Sequence, residues 1–330
     1  MIKSVFYILI IQWIFCWSGE AVSQKVDYLI TVAKDGSGDY SSIQEAINNT
    51  KAFPDKRITI YVKNGIYHEK VKVYSWNNMV TLRGENRDST IITYDDYFNK
   101  IDKGRNSTFM TPTLLVQGND FIMENLTIEN TAGPVGQAVA LAIEADRCVV
   151  RKCSIKGNQD TLYTAGEGDR QYFYKCYIEG TTDFIFGEAT VVFDKCEIHS
   201  KSDSYITAAS TPENIEFGYV FMDCNITADR GVSKVYLGRP WRPYAKTVFI
   251  HCNLGDFIRP EGWHNWSKPD AEKTSLYAEY QNNGDGDHPD KRVSWSHQLS
   301  KSEAEKYTVE NILGSKLTTQ AEDWFNRKGN

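Results

Sequence analysis

VVRKCSI (149–155), YFYKCYI (172–178), VFDKCEI (192–198), VFMDCNI (220–226) and VFIHCNL (248–254) are five copies of one pattern. Each is a short alternating strand that reaches a cysteine and closes on Ile or Leu. IMENLTI (122–128) is the same unit with Leu126 at the cysteine position. From residue 126 the successive steps are 27, 23, 20, 28 and 28 residues. One strong strand recurring every 20–28 residues is the signature of a solenoid. The repeats are rich in Val, Ile, Phe and Tyr, alternate with period two and enclose no long helical stretch, so the solenoid is built of strands. Strands that recur in one direction are parallel, and the connection closing each turn is right-handed by the crossover rule. The predicted fold is all-β, a single-stranded right-handed parallel β-helix.

Looser coils precede these copies, in RITIYVKNGIYHEKV (57–71) and NMVTLRG (78–84). YSSIQEAINNT (40–50) reads as a capped helix with a Ser-x-x-Gln start, placed to cover the open N-terminal end. Ser302 to Leu313 reads as a second helix at the other end, within a C-terminal helical and loop segment. The ladder cysteines act as small apolar filler, and in-register parallel neighbours are poor disulfide geometry. Most of the thiols are therefore expected free and buried, with Cys148 and Cys153 the least certain pair.

Bulk properties narrow the function. Residues 1–23 read as a signal peptide: Lys3 is followed by the apolar run at 5–17, and Ala21-Val22-Ser23 fits a cleavage site. Residues 24–330 then form one exported catalytic domain, secreted and without a membrane anchor. A net charge of −6 and no basic run argue against nucleic acid. An aromatic content of 13% exceeds what packing usually requires and suits a groove for sugar rings as well as a stacked core.

The repeat also locates chemistry. Asp160 and Asp183 each lie seven residues after a ladder cysteine, Cys153 and Cys176, in IKGNQDTLY and IEGTTDFIF. They are therefore equivalent residues on adjacent coils, roughly 5 Å apart at the backbone. Gln137 precedes Cys153 by the 16 residues that separate Asp160 from Cys176, which predicts one column of Gln137, Asp160 and Asp183. Asp203, seven after Cys196, would extend that column, and a merely polar face is the competing reading. Two carboxyls this close cannot both ionise easily, so one keeps its proton and the other is the anion. Gln137 and Gln159 are amide donors beside the pair. Arg239 in LGRPW is a fixed cation able to hold one carboxylate ionised. Tyr163, Phe184, Phe186, Trp241 and Trp263 add aromatics at or near the same strings.

This constellation suits a retaining glycosidase as well as an acyl transferase. The two amides favour acyl chemistry, because such donors suit an oxyanion. No G-x-S-x-G string is present, which argues against a serine esterase. The six histidines form no triad or zinc motif, and NNGDGDHP (282–289) reads as a plain turn rather than a calcium loop.

At these residues the sequence closely resembles the pectin methylesterases. The matching strings are GIYHEKV (65–71), NTAGPVGQAVAL (130–141), GNQDTLY (157–163), GTTDFIFG (180–187) and YLGRPW (236–241), with VAKDGSGDYSSIQEAI (32–47) before them. The resemblance implies the same parallel β-helix. It also implies hydrolysis of the C6 methyl esters of galacturonate in pectin through an aspartyl acyl-enzyme, with no cofactor or metal. It makes Asp183 the nucleophile and Asp160 the general acid and then base. Gln159 and Gln137 become the oxyanion donors, and Arg239 the residue that orients Asp183. Thr113, Gln137, Tyr163, Phe186, Arg239, Trp241 and Trp263 become the contacts to methyl-esterified pectin. A monomer and a domain with no inhibitory pro-region are expected. ITAAST (206–211) is nearer to bacterial than to plant members, and the segment after residue 281 departs from the family's usual ending.

Overall fold

The computed structural model describes residues 28–314 and 324–326; the signal-peptide reading falls outside them. Among the described residues, 11, 8 and 7 strands form three sheets, and every strand pairing is parallel. The chain visits the sheets in turn. Cys148–Arg151 lies in the first, Ser154–Lys156 in the second and Leu162–Thr164 in the third. Each strand then pairs with its counterpart one coil on, as Val150↔Phe173, Ile155↔Ile178 and Leu162↔Ile185. The architecture is the parallel β-helix expected from the repeat.

The corner between the first and second sheets explains the repeat motif. The residue before each ladder position, Asn125, Lys152, Lys175, Lys195, Asp223 and His251, has a positive φ of 51–61°. A left-handed residue turns the chain sharply, so the next side chain points inward. That side chain is Leu126, Cys153, Cys176, Cys196, Cys224 or Cys252, all buried. All six described cysteines are free, Cys148 and Cys153 included. The Cys176, Cys196, Cys224 and Cys252 thiols donate to carbonyls of the preceding coil, on Val150, Phe173, Phe193 and Phe221, at 3.2–3.5 Å. Burial pushes the Cys148 and Cys252 thiols above their ordinary values.

Inside the first sheet, Phe173, Phe193, Phe221 and Phe249 stack with centroids 5.0, 4.5 and 4.3 Å apart. Each buried ring contributes about 1.5–3 kcal/mol. The next residue in this column is Glu279, which is only 1% exposed. Its carboxylate is held by Arg292 at 2.8 and 3.0 Å and by Trp263 Nε1 at 3.3 Å. Arg292 also donates to the carbonyls of Arg259, Pro260 and Gly286. This ion pair closes the C-terminal end of the aromatic column.

The helices depart from expectation in detail. The first runs over Ile43–Asn48 and buries Ile43, Ala46 and Ile47 in the core. Ser42 is its N-cap, and Gln44 instead accepts from the Lys72 amide, so no Ser41–Gln44 box forms. Glu69 accepts from the amides of Ile43 and Gln44 and from the Ser42 hydroxyl, a carboxylate where the helix leaves N–H groups unsatisfied. The segment read as one helix over Ser302–Leu313 is two, Lys301–Ala304 and Val309–Leu313, because Thr308 caps a fresh start by accepting from the Asn311 amide. It does not cover the solenoid's end. Ile312 and Leu313, with Trp324 and Phe325, pack on the outer face of the first sheet against residues such as Val149, Val192 and Val220.

Arg292→Leu leaves the Glu279 carboxylate buried and unpaired, and should lower unfolding free energy by about 3–5 kcal/mol. The Glu279→Leu/Arg292→Leu double variant should recover part of that loss in denaturant melts. Equal losses in the single and double variants would contradict this account of the plug.

Candidate active site

Asp160 and Asp183 occupy the turns that lead from the second sheet into the third, immediately before Leu162–Thr164 and Ile185–Gly187. Leu162 pairs with Ile185, so the two aspartates fall at matching positions, and the Asp160 amide donates to the Thr182 carbonyl at 3.1 Å. Both are left-handed, φ 63° and 49°, a conformation in which Asp is enriched. They are 8% and 6% exposed.

Their environments differ. Asp183 accepts from Arg239 Nε at 2.9 Å and Nη2 at 2.6 Å, a bidentate pair. Among the described residues no donor reaches the Asp160 carboxyl. Burial pushes Asp160 well above the usual carboxyl range, and the charge of Asp183 adds to the push. Burial also raises Asp183, and the Arg239 hydrogen bonds and charge offset part of that rise, so it lies less far up than Asp160. One acid keeps its proton while the other is ionised.

Arg239 is itself enclosed. Its guanidinium carbon lies 3.9 Å from the Tyr205 ring centroid and 3.7 Å from that of Trp266, so the rings take its two faces. Gln137 and Gln159 form a parallel bridge on neighbouring coils, and both are half-buried. Alternation along the third sheet sends Leu162 and Ile185 inward and Tyr163 and Phe186 outward. Phe109, Tyr163, Phe186 and Trp241 then form a row outside the solenoid, with successive centroids 5.1, 4.8 and 5.8 Å apart. It passes the acid pair on the same face, because Trp266 belongs to the same apolar cluster.

Several expectations need correction. Gln137 aligns with Gln159, not with Asp160. The stretch from Thr164 to Tyr172 is two residues longer than that from Ile143 to Val149, and a bulge, where the Ala140 and Leu141 amides both donate to the Thr161 carbonyl, makes up one of the two. Asp203 is not in the acid column. Ile185 lies 9 residues after Cys176, but its partner Thr207 lies 11 after Cys196, so two extra residues bring Tyr205 to the position beyond Asp183. Asp203 is exposed and accepts from the Ser233 and Lys234 amides. Thr113 is fully buried and its hydroxyl donates to the Glu129 carbonyl, so it does not line the groove. Trp263 is 1% exposed and stacks on Tyr277 inside the solenoid, and Phe184 is likewise core. The tryptophan of that loop that joins the aromatics outside the solenoid is Trp266, three residues on. Phe109, Tyr205 and Trp266 were missed; counting two further residues in the 196–207 turn would have found Tyr205.

The family model described as Pectinesterase matches residues 29–316. The chain belongs to the pectinesterase family. Pectinesterase 31 of Arabidopsis thaliana is 39% identical over 284 residues, 84% of this chain and 89% of the relative. A probable pectinesterase/pectinesterase inhibitor 6 of the same plant is 43% identical over 296 residues, 86% of this chain, which spans only 52% of that longer protein. The structure of a pectin methylesterase from carrot superposes with a TM-score of 0.81 at 34% identity, covering 86% of this chain and 92% of that one. All three are plant proteins, although ITAAST pointed toward bacterial members. The enzyme is thus an esterase, and its function is demethylesterification of pectin.

The raised pKa of Asp160 has a cost in stability. Above the ordinary value of about 3.9 the unfolded chain releases a proton that the native state retains. Stability therefore falls as pH rises from there through the folded value. Asp160→Asn keeps the shape and the left-handed turn and removes the titration. Its melting temperature should exceed that of the parent by a margin that widens between pH 4 and pH 8, about 2–4 °C per kcal/mol regained. A margin independent of pH would refute this linkage.

Proposed function

We propose that the enzyme removes the C6 methyl esters of galacturonate by double displacement, with Asp183 as nucleophile. The observation that carries this reading is the asymmetry of the acid pair: Asp183 is ion-paired by Arg239, while Asp160 has no donor among the described residues and is driven toward its neutral form.

A carboxylate oxygen of Asp183 attacks the ester carbonyl carbon. The resulting oxyanion accepts hydrogen bonds from the Gln159 and Gln137 side-chain amides, whose strengthening in the transition state lowers the barrier. As the tetrahedral centre collapses, Asp160 gives its proton to the methoxy oxygen, methanol leaves, and an anhydride joins substrate to Asp183. Asp160, now a carboxylate, takes a proton from water as that water attacks the acyl carbonyl. Collapse expels the Asp183 carboxylate and frees the galacturonate acid, and the starting protonation is restored. Tyr163, Phe186 and Trp241 present the row on which sugar rings stack.

All of these side chains come from one chain, which supports action as a monomer. The apolar run at 5–17 supports export of the domain; among the described residues no helix is long and apolar enough to cross a membrane.

Methanol release and acid titration on highly methylated pectin test the roles. Asp183→Ala should abolish methanol production. Activity should fall at low pH as Asp183 protonates and at high pH as Asp160 loses its proton. Full turnover by Asp183→Ala, or new reducing ends in place of methanol, would overturn the reading.

A further inference from the structure

Arg239 is gripped on one face by a loop that the mechanism has not used. After the buried Trp263 the chain runs His264-Asn265-Trp266-Ser267-Lys268. Trp266 and Ser267 are consecutive left-handed residues, each with φ 54°. Neither is glycine, and such a conformation costs roughly 1–2 kcal/mol per residue. Something must hold it.

Three side chains do so. His264 Nδ1 accepts the Trp266 amide at 2.9 Å. Asn265 Oδ1 accepts the Ser267 amide at 2.9 Å, and its Nδ2 donates to Glu272 at 2.6 Å. Lys268 Nζ donates to the carbonyls of Pro240 and Trp241, both at 3.0 Å, and lies 4.4 Å from the Trp266 ring centroid. Lys268 thus ties the loop to the residues that follow Arg239. The outcome is Trp266 flat against the guanidinium that binds Asp183.

We propose that His264 and Lys268 are positioning residues, which clamp Trp266 over Arg239 and thereby fix the Arg239–Asp183 geometry. This rests on the assignment of Asp183 as nucleophile. A guanidinium covered on both faces presents its edge in one direction, so the carboxylate is aimed before substrate arrives. Losing one face frees Arg239 to rotate and Asp183 with it.

The His264 bond adds a pH dependence. An acceptor at Nδ1 places the ring proton on Nε2, so the clamp holds only with neutral imidazole. The ring packs against Tyr205 and Tyr236 at 5.4 and 5.3 Å, and its amide donates to the Gly238 carbonyl. The charges facing it are Arg239 and Arg259. Burial and these two cations disfavour the imidazolium, which keeps the clamp closed into mildly acid solution. A proton on Nδ1 would turn the acceptor into a donor and release Trp266.

The experiment measures kcat, KM and pH profile on methylated pectin, with melting temperature, for His264→Ala, His264→Asn, Lys268→Met and Lys268→Arg. His264→Ala and Lys268→Met should lower kcat roughly tenfold with KM within about twofold. His264→Asn should recover most of kcat, since an Asn oxygen accepts the amide two residues on in an Asx-turn. Its acid limb should follow one proton where the parent follows two. Lys268→Arg should retain most activity through its own N–H donors. Unchanged kcat in His264→Ala, a loss confined to KM, or a folded His264→Asn as poor as His264→Ala would overturn the clamp. If His264→Ala fails to fold, the Lys268→Met value and the His264→Asn slope decide by the same criteria. Arg239→Met is the control. Full activity there would sink the Asp183–Arg239 assignment itself, whereas a dead Arg239→Met with an active His264→Ala would sink only the clamp.

Discussion

The structure depends on parallel coils stacked in register. From Asn125 onward, a left-handed residue before each ladder position turns the chain inward at the same point of the coil. Residues at equal distances from that corner then stack one strand spacing apart. The Ile column, the stack of four phenylalanines and the pair Asp160–Asp183 are three consequences of this one constraint. Two acids disturb each other's titration only when they are close, and a solenoid delivers that with no contribution from a long-range loop.

The same stacking creates a difficulty at each place where it brings charge out of water. At Glu279 and at Asp183, two carboxylates under 10% exposed, the answer is a bidentate arginine. Arg292 neutralises Glu279 where the aromatic column ends, and every donor direction of its guanidinium finds an oxygen. Arg239 holds Asp183, but its faces meet rings rather than carbonyls. The first pair is 2% exposed on each side and plugs an end; the second is 16% and 8% exposed and lies nearer the surface. Asp160, one coil away without such a partner, is left to keep its proton. A single geometric motif thus serves closure in one place and a split in acidity in the other.

Repeat spacing carried the reading furthest where coil length was constant. Leu162 and Ile185 both lie nine residues after their ladder cysteines, so counting placed Asp160 beside Asp183. Where coil length changed, counting failed. Two extra residues in the turn after Cys196 put Tyr205 where Asp203 was expected, and two extra residues between Thr164 and Tyr172, half offset by a bulge at Ala140–Leu141, left Gln137 beside Gln159. Inward or outward direction was the other failure. Trp263 and Trp266 are both tryptophans of one loop, yet one stacks in the core and the other covers Arg239.

The sequence alone therefore determined the class of fold, the free and buried cysteines, the two stacked acids and the family. Each of these follows from local periodicity or from short strings, which are properties of the chain read in order. Only the tertiary structure decided which donors reach Asp183, that none among the described residues reaches Asp160, and that Arg239 lies between Tyr205 and Trp266. Those facts join residues 56 positions apart across Asp183–Arg239, along with a loop beyond them, and bulges and turn lengths set their meeting. Acidity in a buried pair depends on these distant neighbours, because desolvation and charge act through space rather than along the chain.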